Sequence, residues 1–406
     1  MDLKRESYLE KIRPFYETDL IKVISGVRRG GKSTLLETIK NEIIENGISG
    51  DQIIFINLED MLYEHIKNAD DLHKEISSRI INDGKYYIFI DEVQHVEHFE
   101  KALASFRAAY NSSVFVTGSD STLLSGELAT LLTGRTIEFE VLPFSYSEMK
   151  EYLLLNNRIY NDDLIYDYIK WGGFPLRFSF NREEDVRRYL ETLFDQIVER
   201  DIKKKSSKFN VRVFKDISSY MMANAGKEFS ADNIVNYYKT NADRNISRQT
   251  VYNYLEKMEK AYLIHSVEKY DVSGKKIMKS NEKFYAIDPG FRIINTNSFD
   301  FEDTFFLENI IYNNLVAEGY YVRTGKLNKG EIDFVASKNG KKCFIQVAYL
   351  LASEKTITRE FGAYEKVRDA SPKYVMSLDK IDMSRNGIIH LNIVDYLLKE
   401  KELILT

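Results

Sequence analysis

Residues Gly26-Val27-Arg28-Arg29-Gly30-Gly31-Lys32-Ser33 fit the pattern G-x-x-x-x-G-K-[ST]. They stand between an apolar run at 20–25 and a helical pattern opening at Thr34-Leu35-Leu36. This strand–loop–helix order constrains the fold more than any other feature, because it calls for a buried parallel strand whose end meets a helix N-terminus. Glycines let the main chain curl until successive N–H groups point at one phosphate, and the helix start adds positive potential. On that chemistry Lys32 reaches the β- and γ-phosphates of a nucleoside triphosphate and the Ser33 hydroxyl ligates Mg²⁺. Gly26, Val27, Arg28, Arg29, Gly30, Gly31 and Thr34 complete the cradle. The expected cofactors are ATP and Mg²⁺.

The second half of such a site is Tyr86-Tyr87-Ile88-Phe89-Ile90-Asp91-Glu92, an apolar strand ending in two acids. Asp91 is expected to hold the Mg²⁺ shell and Glu92 to polarise the attacking water. Val114-Phe115-Val116-Thr117-Gly118-Ser119 ends another strand in small polar residues. Ser119 is the preferred hydroxyl for orienting water, with Thr117 second; the plain alternative is an ordinary strand exit. Arg135, after Leu131-Leu132-Thr133-Gly134, suits neutralisation of transition-state charge in its own or a neighbouring subunit, or is a surface arginine. Lys32, Glu92, Ser119 and Arg135 form the expected catalytic set.

A chain of 406 residues is too long for one ordinary core, and its 44% apolar content suffices for several. No apolar run approaches the roughly 18–20 residues of a membrane span. The start, Met1-Asp2-Leu3-Lys4-Arg5-Glu6, leads into a mixed-charge helix. A cytoplasmic protein with no membrane partner is expected. Cys343 is alone, and six histidines show no metal-ligand spacing. The net charge of −5 argues against the whole molecule binding polyanions, although 200–208 and 269–283 are locally basic.

Apolar runs at 20–25, 52–58, 86–90, 113–117 and 136–141 alternate with amphipathic stretches, as in a parallel sheet with crossover helices. From 145 to about 205 the pattern is helical, broken by Gly172-Gly173-Phe174-Pro175. Residues 210–290 read as three helices and two strands around a Gly-Lys-Lys turn, a winged helix-turn-helix. Beyond 300 follow a helix at 304–318, strands at 320–324, 331–336 and 342–348, a helix at 358–370 and a strand at 373–377. The fold class is thus α/β multidomain. It comprises a P-loop core at 1–145, a helical lid at 146–207, a winged helix-turn-helix at 208–299 and a C-terminal α/β domain at 300–406.

The run from Val23 through Leu36 resembles a large prokaryotic family of AAA-type ATPases. Ile90-Asp91-Glu92-Val93-Gln94, Thr117-Gly118-Ser119 and Leu142-Pro143-Phe144-Ser145 fit it too, and the resemblance covers nearly the whole chain. It implies an ASCE-type sheet, with the strand leading to Ser119 between those leading to Gly26 and Asp91. It also implies a C-terminal region that looks like a restriction endonuclease. Gly172-Gly173-Phe174-Pro175-Leu176 resembles the Gly-x-Pro element of the lid in signalling and origin-recognition ATPases, where the proline packs near the adenine. That places Pro175 in the nucleotide site, against a plain helix-breaking turn. Tyr8, Arg13 and Phe15 are positioned to line the other side of the base.

In the winged helix, Val251, Leu255 and Met258 recur as a buried stripe behind Ser247 as N-cap. Arg248, Gln249, Tyr252 and Asn253 then face outward, a suitable set for base edges and phosphates of double-stranded DNA. Lys269, Lys275, Lys276 and Lys279 belong to the wing; the alternative is a protein-docking strut. Restriction-type nucleases need a helix glutamate, an aspartate and a Glu-x-Lys. This chain offers Glu308, Asp333 and then Gln346-Val347-Ala348, a degenerate site with an amide for the second acid and no lysine. Lys341, Lys342 and Lys355 could substitute from elsewhere, although no spacing favours them.

Together these features predict an ATP-hydrolysing AAA-type switch or motor acting on DNA, with homo-oligomers among its expected forms. One alternative is a signalling or scaffold switch binding protein partners. Another is an ATP-regulated endonuclease.

Overall fold

The computed structural model describes residues 3–119, 131–203, 209–241, 246–295, 304–328 and 330–406. These form two compact units, Met1–Leu142 with Lys260–Tyr262, and Pro143–Glu259 with Leu263–Thr406. The basic residues 204–208 and the boundary expected at 207/208 lie outside the described residues.

The first unit is built on β1 (Ile21–Ser25), β2 (Ile53–Asn57), β3 (Tyr86–Asp91), β4 (Ser112–Gly118) and β5 (Thr136–Glu140). All pair in parallel in the order β2-β3-β4-β1-β5. The strand ending beside Ser119 therefore lies between those ending at Gly26 and Asp91. Burial on both faces of the central β1, β3 and β4 explains their near-continuous apolar runs, while the edge strands β2 and β5 are partly exposed. Side chains alternate between two cores. Ile21, Val23, Ile88, Ile90, Val114 and Val116 pack with helices α3 (Ala69–Ser77) and α4 (Phe99–Ala109) through Leu72, Ile76, Leu103 and Phe106. Ile24, Phe89 and Phe115 face α1 (Glu6–Ile12) and α2 (Lys32–Glu45), meeting Leu9, Ile12, Leu35, Leu36 and Ile39.

One position breaks the apolar pattern. Lys22 in β1 is fully buried, with Nζ donating to Ser113 Oγ (2.6 Å) and Thr18 O (3.2 Å) and lying 4.4 Å from the Phe115 ring centroid. Burial pulls its amine down to about 7, aided by the charge of Lys85.

The second unit opens with helices α5 (Tyr146–Leu155), α6 (Leu164–Trp171) and α7 (Glu183–Ile197). A capping box starts α5, with Ser145 Oγ accepting from Glu148 N and Glu148 Oε2 accepting from Ser145 N. Next come α8 (Val211–Ala223), α9 (Ala231–Asn241), α10 (Arg248–Lys260) and the hairpin β6 (Ile264–Asp271)–β7 (Lys276–Ala286). After α11 (Pro289–Ile294) and α12 (Thr304–Ala317) follow β8 (Tyr321–Lys326), β9 (Glu331–Lys338) and β10 (Lys341–Val347). Helix α13 (Glu354–Gly362), β11 (Lys373–Ser377), β12 (Ile389–Asn392) and α14 (Ile393–Leu397) complete the chain.

Strands β6 to β12 form one sheet in the order β12-β11-β10-β9-β8-β6-β7. Lys269–Asp271 of β6 pairs in parallel with Thr324–Lys326 of β8, so one sheet runs across the expected boundary at 299/300. Among the elements that differ from the sequence reading are β7, which starts at Lys276 and not at 283, α11, α13 and β12. Helix α13 starts four residues earlier than expected, because the Ser353 hydroxyl caps it by accepting from Thr356 N (3.1 Å). Strand β12 was not anticipated; its four residues add a parallel edge to β11.

Candidate phosphate-binding site

The loop between β1 and α2 has a main chain that few residues tolerate. Gly26 has φ +135°, and a Cβ there would stand 2.3 Å from Val141 O. Gly31 has φ +100° immediately before Lys32 opens α2. Gly30 N donates to Val27 O (3.1 Å), and Arg5 Nη1 donates to Gly30 O (3.1 Å) from a buried position. Lys32 is 3% exposed, and its Nζ donates to Gly26 O and Val27 O, both at 3.0 Å. Ser33 and Thr34 are exposed at the helix start, as is Arg29, whereas Arg28 is half-buried and 3.6 Å from Glu59.

Across the sheet, Asp91 and Glu92 end β3, both buried. Thr117 Oγ1 donates to Asp91 Oδ1 and accepts from Glu92 N (2.9 Å), and the Ser33 hydroxyl also bonds Asp91. The Thr117 hydroxyl is thereby committed to bracing the acids. Burial raises the Asp91 carboxyl above its ordinary range, opposed by the bonds from Thr117 and Ser33. Glu92 adopts a left-handed conformation (φ 56°, ψ 50°), uncommon for a residue with a side chain and typical of strained functional positions. Its Oε1 lies 4.0 Å from Lys32 Nζ, while its Oε2 accepts from Gln94 Nε2 and, at 3.5 Å, from Ser119 Oγ. The set suits a nucleoside triphosphate with Mg²⁺. Main-chain donors and one buried ammonium match polyphosphate, and a hydroxyl beside a carboxylate matches an ion that takes few protein ligands. Among the described residues no group of three or more His, Cys, Asp or Glu is arranged to hold a metal by itself.

Comparison with known proteins agrees with this geometry. The model of an AAA domain matches residues 18–150, and that of a domain of unknown function (DUF8612) matches 162–299. An uncharacterized protein of Haemophilus influenzae is 33% identical over 402 residues, 98% of this chain and 99% of that one. The chain belongs to this AAA-domain family. An uncharacterized protein of Methanocaldococcus jannaschii is also similar, 32% identical over 358 residues, 85% of this chain and 78% of that one. Among solved structures, the Aeropyrum pernix ORC1 protein in complex with DNA matches 73% of this chain and 92% of its own. Its identity is 12% and its TM-score 0.33, too loose to inform function.

Other expected site residues of the AAA-domain protein fall elsewhere. Arg135 is exposed, and its carbonyl accepts from Ile21 N (2.9 Å) at the start of β1. The phosphate loop leaves the other end of that strand, about 16 Å away at about 3.3 Å per residue. A role for Arg135 in its own subunit is therefore corrected: the guanidinium starts from the opposite edge of the sheet. Tyr8 is buried in the core, its hydroxyl accepting from Leu142 N (3.1 Å), and Phe15 packs on Phe139. Arg13 is bound by Glu6 and Glu42.

In the second unit, the Gly172–Gly173 turn is gripped by a buried aspartate. Asp288 accepts from Gly173 N (2.7 Å) and Gly290 N (2.8 Å), and Phe144 N donates to Gly173 O (2.8 Å). A Cβ on Gly172 would fall 1.7 Å from Asp288 Oδ1, so glycine is required there by packing within this unit. Burial pushes the Asp288 carboxyl up to about 6, opposed by those main-chain donors. Pro175 opens a short 3₁₀ turn, Pro175–Ser179, beside this clasp.

On α10, Val251, Tyr254, Leu255 and Met258 are buried, while Arg248, Gln249, Tyr252 and Asn253 are exposed together. Arg248 pairs with Asp232, and Gln249 donates to Asn253 (2.8 Å). Lys275 and Lys276 are exposed on the hairpin. Lys269 is instead buried and paired with Glu228, and the Lys279 side chain lies outside the described residues.

Glu308, Asp333 and Gln346 do come together, all buried. Gln346 Oε1 accepts from Asp333 N (2.8 Å), its Nε2 donates to Glu360 Oε2 (3.1 Å), and Val347 N donates to Asp333 Oδ2 (2.8 Å). The amide is a bridge within the protein. Sequence reading missed the lysine of this cluster: Lys283 on β7 is 1% exposed, with Nζ 2.9 Å from Glu331 and 3.9 Å from Glu308. Lys342 is paired with Asp369 (2.8 Å), and Lys341 and Lys355 are exposed. Burial raises Glu308 well above the carboxylate range and pushes Asp333 up to about 7, with Lys283 opposing both.

Proposed function

We propose that this protein binds MgATP at the Gly26–Ser33 loop and hydrolyses it, serving as a nucleotide-dependent switch or motor. The observation that carries the reading is the convergence of Lys32, Ser33, Asp91, Thr117 and Glu92 at the ends of three adjacent parallel strands. MgATP, when bound, supplies the phosphoanhydride and the divalent charge, with Ser33 and Asp91 holding the ion and Lys32 and the loop N–H groups holding phosphate oxygens. The chain's own residues do the rest. Thr117 fixes the Asp91 carboxylate through a hydrogen bond, Ser119 contributes a hydroxyl beside Glu92, and Glu92 Oε1 takes a proton from water. A catalytic Arg135 would serve a neighbour's site, so this reading includes a homo-oligomer; the alternative is a surface arginine. Measured side by side, Glu92→Gln should hold nucleotide like the wild type while turnover falls about 100-fold or more. Full turnover in that variant would reassign the base.

We further propose that α8, α9, α10 and the β6–β7 hairpin form a winged helix-turn-helix meeting double-stranded DNA through Arg248, Gln249, Tyr252 and Asn253. Their joint exposure opposite a buried stripe supports this. The ion pairs that occupy Arg248 and Lys269 favour the second reading, a protein-docking surface. Fluorescence anisotropy with duplex DNA separates the two, since DNA contact requires an affinity that falls steeply with salt. The Glu308–Asp333–Gln346 group we read as structural, because its amide and lysine are spent on partners within the fold.

A further inference from the structure

Gln94 is absorbed by none of the roles above, yet it touches the centre of the site. It sits in a single 3₁₀ turn, Val93–His95, entered through the left-handed Glu92, and that reversal brings residue 94 back alongside residue 92. Its Nε2 donates to Glu92 Oε2 and lies 3.4 Å from Ser119 Oγ. Its Oε1 is buried and has no hydrogen-bond partner among the described residues. The amide orientation follows from chemistry: turned over, Oε1 would stand oxygen to oxygen against Glu92 Oε2, which already accepts from Ser119, so N–H faces Glu92. Glu92 is therefore held through one oxygen by two donors, Gln94 and Ser119. Its other oxygen is left facing Lys32 at 4.0 Å, the side where phosphate is expected.

We propose that Gln94 is the positioning residue of the hydrolytic centre, fixing the Glu92 carboxylate so that Oε1 alone is presented to the nucleophilic water. This rests on the assignment of Glu92 as the base. A glutamate carboxylate carried on three torsions from a strained turn samples several rotamers, and only a narrow subset keeps a lone pair in line with water. One amide donor selects among them without neutralising the charge. Lys32 and the loop glycines bind phosphate independently of it, so the effect belongs to turnover and not to affinity.

The experiment compares steady-state kinetics and equilibrium binding of an ATP analogue for wild type, Gln94→Ala, Gln94→Asn, Glu92→Gln and the double variant, on the full chain. Gln94→Ala should lower kcat about 10- to 100-fold with analogue affinity within about twofold of wild type. Gln94→Asn, which keeps the amide on a shorter arm, should recover part of that loss. Within the Glu92→Gln background, Gln94→Ala should add nothing, since the two act as one unit. A kcat unchanged or raised by Gln94→Ala overturns the proposal, and so does a matching loss of affinity, which marks a merely structural role. A Glu92→Gln variant with full turnover would instead remove the reading on which the proposal rests.

Discussion

The buried lysine of β1 gives the sharpest test of the first unit's energetics. Lys22 is 0% exposed and its pKa falls from the ordinary 10.5 to about 7. At about 1.4 kcal/mol per pKa unit, that fall corresponds to about 5 kcal/mol against the charged form. The folded pKa lies below the unfolded one, so the unfolded chain binds more protons between about pH 7 and 10.5. Wild-type stability must therefore rise across that window, and the penalty is complete below pH 7. Replacing Lys22 by Met removes the titration and also the bonds to Ser113 and Thr18, each worth about 1 kcal/mol. The variant should be the more stable by about 2–3 kcal/mol at pH 6 and lose about 3 kcal/mol of that advantage by pH 9.5. Trp171, the sole tryptophan, belongs to the second unit and does not report this core. Urea equilibration at each pH, followed by a deuterium pulse at one common pH and mass spectrometry of β1 and β4 peptides, reads the right transition. A variant advantage that does not change with pH, or a variant weaker than wild type at pH 6, would refute the reasoning.

Three more outcomes are expected. Gly26→Ala sets a Cβ 2.3 Å from Val141 O at φ +135°, so it should destabilise the first unit by about 2–4 kcal/mol and weaken nucleotide binding at least tenfold, measured by calorimetry. Lys283→Ala takes from Glu331 its buried ammonium (2.9 Å) and removes the cation that opposes the rise at Glu308, and should cost about 1–3 kcal/mol, read from the urea midpoint of Trp171 fluorescence. Arg135→Ala should leave nucleotide affinity intact; mixed with the slowed Glu92→Gln protein, it should regain turnover above the sum of the two alone, because its site, with Glu92 intact, would borrow the Glu92→Gln neighbour's arginine.

The parts legible in the sequence are those whose chemistry is local. The phosphate loop, the acids ending β3 and the doubly buried strands each declare themselves within about ten residues. What escaped depends on partners distant in the chain. Lys283 meets Glu331, 48 residues on, from a hairpin assigned to a different domain, so no Glu-x-Lys spacing could reveal it. Gly172 and Gly173 read as a lid motif, and no local pattern shows what fills the space beside them: Asp288 at Gly172 and the Phe144 carbonyl at Gly173. Arg5 supports the loop from 25 residues upstream with no motif of its own. Strand β12 is too short for any periodicity to show. Gln94 was within reach, two residues from Glu92, but only the left-handed turn at Glu92 gives that spacing a meaning.

The most direct test is equilibrium binding of a slowly hydrolysed ATP analogue with Mg²⁺ to the wild-type chain and to Lys32→Ala. Saturable binding at one site per chain, weakened at least 100-fold by the substitution while β1 stays protected from exchange, is the expected result. Equal affinity in both proteins would mean that the triphosphate does not sit on this loop.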